Sequence, residues 1–300
     1  MPDWTPEAVT SAEEAAARVA AAFPELAGAP VRLVGAGFDN TAYQIGDWIF
    51  RFPRRAVAVP LLRREVEHLP KLADHVDLEI PRPSRLVEEG GTFPFAGYRR
   101  LRGVTGCAPL APAQRARLAR PLGAFLRQLH TVTVPVDLGS DPFDRANLVV
   151  RTPRLLKQLA EIGGIPSAAA AISALGQTAP WAGPRVWVHG DLYPRHLLLQ
   201  NERLTGVIDW GDTHAGDPAL DLSILYTFLP SAAHAELLGE YGPVDADTLG
   251  RARFHAWRYS LTLTGYVGET GDAGMARIVS WIAENLGFEP PKVIAAALSR

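Results

Sequence analysis

Three hundred residues with 47% hydrophobic content can bury one large core or two smaller ones, so a two-lobed globular chain fits the length. A formal net charge of −2, mixed along the chain rather than blocked, gives no reason to expect a nucleic-acid partner or an anionic membrane. Cys107 is the single cysteine, which excludes an internal disulfide and fits a reducing compartment.

The N-terminal segment MPDWTPEAVTSAEEAAARVAAAF has acidic residues and a helical period where a secretory signal needs a basic start and an unbroken apolar segment. It reads as a packing helix, with Thr5 as N-cap, Pro6 at the first helical position and an Ala-rich run to Ala22. No stretch approaches the roughly 18 apolar residues of a membrane span. A soluble cytoplasmic protein, monomeric or homodimeric, is the expectation.

From Val31 the period changes to two. Residues 31–34, 41–45 and 47–52 read as three strands, joined by the turn from Gly35 to Asn40 and by Gly46-Asp47. Gly35 and Gly37, followed by Asn40, would let backbone N–H groups approach phosphates closely, although a plain hairpin explains an isolated Gly-x-Gly better. A cation, Arg51, follows on the third strand, and Glu65 on the next helical pattern, LLRREVEHL. Taken alone each is commoner as a surface charge; the order of turn, cation and carboxylate makes this a candidate nucleotide lobe.

Residues 84–88 and 92–98 read as further strands, and Tyr98-Arg99-Arg100-Leu101-Arg102-Gly103 leads out of the small lobe. From Pro112 the pattern is helical. Leu118, Leu122, Phe125, Leu126 and Leu129 form one core stripe ending at His130, read as a helix-end or packed histidine. Residues 151–162 and 166–178 read as helices. Beyond residue 220 come a buried helix over 220–229 and longer ones over 249–266 and 273–286, with Pro290-Pro291-Lys292 read as the end of the compact domain.

Between these lies VWVHGDLYPRHLLLQNERLTGVIDWGDTHAGDPALD. Two short apolar runs deliver Asp191 and Asp209 at strand ends, where side chains are fixed while loops admit a ligand. His196 follows Asp191 by five positions and Asp209 follows thirteen later, the beat of a kinase catalytic loop and metal-binding segment. The ordered set HGDLYPRH and VIDWGDTHAGDPALDLS resembles the aminoglycoside phosphotransferase family, antibiotic kinases with a protein-kinase-like fold.

That resemblance implies an α+β, protein-kinase-like chain: a β-rich nucleotide lobe over 1–98, a hinge at 99–105 and a helical catalytic and acceptor lobe over 106–300. It implies transfer of the γ-phosphoryl of ATP or GTP to a hydroxyl of a small-molecule acceptor, a macrolide or aminoglycoside antibiotic. Asp191 would be the base that takes the hydroxyl proton, His189 a brace, and Arg195 either a phosphate partner or a solvated charge. His196 and Asp209 would hold Mg²⁺, with the imidazole also tolerating Mn²⁺. Most of the family has Asn at the position of His196, whereas its macrolide phosphotransferases carry His there.

Arg51 stands where the pattern has lysine; a guanidinium can still grip phosphate oxygens and pair with Glu65. The backbone of Arg99, Arg100 and Leu101 would meet the purine. Asp217 and Asp221 resemble the family's structural acids, and Asp212 and His214 are read as a solvated loop. Three rivals remain: a metabolic kinase of a small alcohol, amino alcohol or sugar, a catalytically silent nucleotide-binding module, and a zinc hydrolase using His189, Asp191 and His196.

Overall fold

The computed structural model describes residues 6–37, 39–88, 93–133, 137–141 and 143–299, leaving aside the side chain of Pro166. Thr5, Phe38 and Thr92, used above for a helix start, a turn and a strand, lie outside the described residues. The chain divides into two compact units, one ending at Arg102 and one carrying the described residues from Gly103 onward.

The first unit comprises helix α1 (Ala12–Ala22), strands β1 (Val31–Ala36), β2 (Asn40–Ile45) and β3 (Trp48–Pro53), helix α2 (Ala58–Leu72), and strands β4 (Arg85–Val87) and β5 (Phe95–Arg99). The strands form an antiparallel sheet in the order β1-β2-β3-β5-β4. All six residues of β3 are buried. Alternation along the strand sends Trp48, Phe50 and Phe52 into a core shared with Ala15 and Val19 of α1, which leaves Ile49 and Arg51 to the opposite face. Gly97 on β5 is required by this packing: a Cβ there would lie 2.4 Å from Cε1 of Phe50.

The leading helix starts later than the sequence suggests. Ser11 caps it by accepting from the Glu14 N–H at 3.1 Å, and residues 6–10 are not helical, with the Glu7 and Ala8 N–H groups donating to the Arg54 carbonyl. A serine three residues before a glutamate outcompetes Pro6 as the start signal.

The second unit begins with β6 (Val104–Thr105), α3 (Pro112–Ala116), α4 (Ala119–Thr131), α5 (Leu148–Glu161) and α6 (Pro166–Leu175). The catalytic block follows as β7 (Val186–Val188), β8 (Leu197–Gln200), β9 (Arg203–Val207) and β10 (His214–Gly216). Then come α7 (Ala219–Leu222), α8 (Ile224–Thr227), α9 (His234–Tyr241), α10 (Ala246–Thr270), α11 (Ala273–Leu286) and α12 (Lys292–Leu298). The strands make two small sheets, β6-β8-β9 and β10-β7. The long helix α10 packs Phe254, Trp257 and Leu261 against Leu155 and Leu159 of α5 and Ile172 of α6.

Local chemistry sets the ends of the long helices. Asp245 caps α10 through the Thr248 N–H, Gly271 closes it in the left-handed conformation, and Asp272 immediately caps α11. Two sequence expectations fail here. Residues 220–229 are two single turns rather than one helix, with the Ser223 hydroxyl donating to the Leu220 carbonyl at the break. The Pro290-Pro291 segment does not end the compact part either, because Pro291 leads into α12, whose Ile294 and Ala297 are buried.

Arg251 on α10 and Asp217 illustrate how the second unit treats buried charge. Both side chains are 2% exposed, Nε lies 2.6 Å from Oδ2, and the guanidinium also reaches the Ala179 carbonyl and the Thr248 hydroxyl. Removing the acid strands a buried cation. Asp217→Ala is expected to lower unfolding stability by about 3–5 kcal/mol in a denaturant titration; a loss under about 1 kcal/mol would show that Arg251 finds water instead.

Candidate active site

The catalytic-loop backbone is held by a carboxylate. Asp221, fully buried, accepts from the His189 N–H at 2.7 Å and the Gly190 N–H at 2.9 Å. Burial pushes the Asp221 carboxyl up, but the His130 hydrogen bond and these N–H groups bring it below the usual carboxylate range. Gly190 has φ 85, and a Cβ there would meet the Asp212 carbonyl at 2.4 Å, so glycine alone fits between His189 and Asp191.

His189 has both ring nitrogens in use. Nε2 lies 3.0 Å from the Ile208 carbonyl, and Nδ1 accepts from the Asp191 N–H at 3.2 Å. One nitrogen therefore donates while the other accepts, and burial keeps the ring neutral by lowering its pKa. This is the geometry of a brace. It removes His189 as a zinc ligand, and with it the hydrolase expectation.

Strand register brings His196 to Asp209. Leu197 of β8 is opposite Val207 of β9, and the Ile208 N–H donates to the His196 carbonyl at 2.9 Å, which sets Asp209 beside the imidazole. Asp209 itself takes φ 65, a left-handed conformation that Asp tolerates better than most residues. His196 Nε2 lies 3.2 Å from Asp209 Oδ2, while Nδ1 lies 2.8 Å from the Asp191 carbonyl and 3.8 Å from Asp191 Oδ2. The Asp191 carbonyl can only accept, so Nδ1 carries hydrogen. Nε2 facing a carboxylate then needs either a proton or a cation between them.

Burial pushes the His196 pKa down, and the Asp209 charge more than reverses this, so the pair favours the protonated imidazole more than free histidine does. An imidazole nitrogen and a carboxylate oxygen suit a divalent cation that completes its shell with phosphates and water. Among the described residues no three His, Cys, Asp or Glu side chains gather as a complete metal cage.

Asp191 has a partner that the sequence did not suggest. The Tyr259 hydroxyl on α10 donates to Asp191 Oδ1 at 2.7 Å, and the Tyr259 ring stacks on Tyr193 at 5.1 Å. A tyrosine 68 residues away on a helix carries no motif; only tertiary packing reveals it. Arg145, 5% exposed, was also missed: it pairs with Asp141 and with Asp212. Asp212 and His214 are therefore not a solvated loop. Asp212 is tied to Arg145, and His214 is 1% exposed with Nδ1 on the Asp212 carbonyl at 2.7 Å. Arg195 lies 3.6 Å from Asp272, the cap of α11, with its side chain 39% exposed.

In the first unit, Arg51 Nη1 lies 2.5 and 2.8 Å from the two oxygens of Glu65, and both residues are buried, so neither is a surface charge. The turn that follows Gly35 is closed by the Gly37 N–H donating to the Asn40 carbonyl, and Arg54 donates to the Gly37 carbonyl. The side-chain oxygen of Asn40 is buried without a partner among the described residues. Of the segment Arg99, Arg100 and Leu101, the Arg100 N–H is already spent on the Asp47 carbonyl at 2.9 Å, and the Arg99 guanidinium lies over Trp48.

Comparison with known proteins bears on the family and the fold. The chain is 26% identical to an aminoglycoside 2′-phosphotransferase-IIIa mutant in its GDP complex, with a TM-score of 0.68 over 96% of this chain and 98% of that one. It is also 26% identical to the macrolide 2′-phosphotransferase MphH from Brachybacterium faecium, with a TM-score of 0.58 over 91% and 97% of the two chains. A 64-residue stretch is 41% identical to the uncharacterized protein YcbJ of Bacillus subtilis (strain 168), spanning only 21% of this chain and 21% of that protein. The fold class is α+β and protein-kinase-like, with a small antiparallel-sheet unit and a larger helical one. The model of the phosphotransferase enzyme family, APH, matches residues 30–256, and the chain belongs to that family.

Proposed function

We propose that this chain is a small-molecule kinase that moves the γ-phosphoryl group of ATP or GTP to an alcohol. The observation that carries the reading is the Asp191 carboxylate, oriented by Tyr259 and set beside the His196–Asp209 pair. Asp191 accepts a hydrogen bond from the acceptor hydroxyl and takes its proton as the oxygen attacks phosphorus in line. The bond to the bridging oxygen then breaks and the nucleoside diphosphate leaves.

Asp209 and His196 would hold Mg²⁺ or Mn²⁺, which neutralises phosphate charge. His189 keeps the loop in place, and Arg195, held by Asp272, is available to a phosphate oxygen. In the first unit, Arg51 gripped by Glu65 serves as the phosphate-binding cation, and Gly35, Gly37 and Asn40 supply the phosphate loop. The backbone of Arg99 and Leu101 meets the purine, with the Arg100 N–H already committed.

Two named relatives act, by their descriptions, on aminoglycosides and macrolides, which supports an antibiotic hydroxyl as acceptor. A metabolic kinase of a small alcohol is the second reading, favoured by the excess of arginine on α5 and α10 near Asp191.

Asp191→Ala is expected to lower kcat by on the order of 10²–10⁴, the usual worth of a positioned base, with nucleotide affinity nearly unchanged. Product formation followed by mass spectrometry tests this, and wild-type rates would remove Asp191 from its role. His196→Asn replaces a nitrogen donor by a carbonyl oxygen, so activity should persist with the metal preference shifted from Mn²⁺ toward Mg²⁺. A metal titration of turnover that gives the same profile for both proteins would exclude His196 as a ligand.

A further inference from the structure

Among the residues around Asp191 that phosphoryl transfer leaves unused, the acids are paired while two cationic side chains keep donors to spare. Arg258 directly precedes Tyr259 on α10, and its guanidinium carbon stands 4.2 Å from the centroid of the Tyr259 ring whose hydroxyl holds Asp191. Two Arg258 donors, Nε and Nη2, are shielded from solvent and meet no acceptor among the described residues. His255, fully buried three residues earlier on the same helix face, has both ring nitrogens without a partner among the described residues. Burial, then the charges of Arg258 and Arg145, lower its pKa well below the ordinary value, so it is a neutral donor.

Helix α5 adds more positive charge. Burial, followed by the like charges of Arg154 and Arg258, lowers the pKa of the Arg151 guanidinium, whose Nε donates to the Asp144 carbonyl rather than to a carboxylate. The nearby acids are engaged elsewhere: Asp141 and Asp212 on Arg145, Asp191 on Tyr259.

Shielded guanidinium donors left unmet are costly, and a carboxylate or phosphate removes that cost by accepting two N–H groups at once. Resting on the kinase reading above in its second form, a kinase of a small alcohol, we infer that the acceptor is an anionic alcohol, whose carboxylate or phosphate seats on Arg258 near Arg151 and His255 while its hydroxyl meets Asp191. The amines of a polycationic acceptor would face repulsion from the same arginines. The chemistry of the site thus narrows the acceptor to hydroxy acids and phosphorylated alcohols.

Calorimetric titration of the whole chain with glycerate, glycerol 3-phosphate, glycerol and kanamycin tests this. At least one anionic probe should bind about tenfold or more tightly than glycerol, the worth of a charge-assisted pair of hydrogen bonds, and the stronger of the two separates carboxylate from phosphate. Arg258→Met should abolish the preference and Arg258→Lys retain part of it; Arg151→Met on the neighbouring helix should weaken it and decides the matter if Arg258→Met fails to fold. Equal binding of glycerol and both anions, an anion preference that survives these substitutions, or tighter binding of kanamycin would overturn the inference. Anion binding that depends on Arg258, in a protein that consumes neither ATP nor GTP with any acceptor, would instead leave this site standing and sink the kinase reading.

Discussion

The grip of the Asp221 carboxylate on two consecutive N–H groups is the constraint on which the candidate active site rests. A loop after a three-residue strand has no ladder to hold it, and its buried donors must be satisfied somewhere. Asp221 meets both donors at once and is itself steadied by His130, which in turn contacts the Tyr241 hydroxyl at 2.8 Å. With the backbone pinned, Gly190 can turn through a left-handed conformation that brings its α-carbon against the Asp212 carbonyl. Asp191 then emerges in a defined direction, with Tyr259 completing its orientation.

The second carboxylate is delivered by a different device. Asp191 follows a strand of one small sheet, β7, and Asp209 follows a strand of another, β9, so neither sheet alone relates them. His196 does, lying immediately before β8 with one ring nitrogen on the Asp191 carbonyl and the other beside the Asp209 side chain. The left-handed backbone of Asp209 is a local strain of the kind found where a structure over-determines a functional side chain. Trp210, fully buried and donating to the Val207 carbonyl at 3.0 Å, anchors the residue that follows.

Buried arginines recur through the chain and divide by partner. Arg51, Arg145 and Arg251 are each matched to a buried or half-buried carboxylate, which offsets the cost of removing the charge from water. Arg258, half-buried, has no such match at Nε and Nη2 among the described residues. What sets it apart from Arg51, Arg145 and Arg251 is that these two donors remain available to a ligand beside the Tyr259 ring.

Much of this was legible in the chain because it is local. Strand alternation from Val31, the apolar stripe of α4 and the motif from His189 to Asp221 depend on neighbours in sequence, and the span of α11 was read to the residue. The order of turn, cation and glutamate also anticipated the Arg51–Glu65 contact, since a strand and the helix after it are close along the chain. The start of α1, the break near Ser223 and the docking of α12 were misread, because competing caps and late packing decide element ends. Tyr259, Arg145 and Arg258 stayed invisible for another reason. Each lies on a helix or loop far along the chain from Asp191, and no spacing rule connects residues that only tertiary packing brings together.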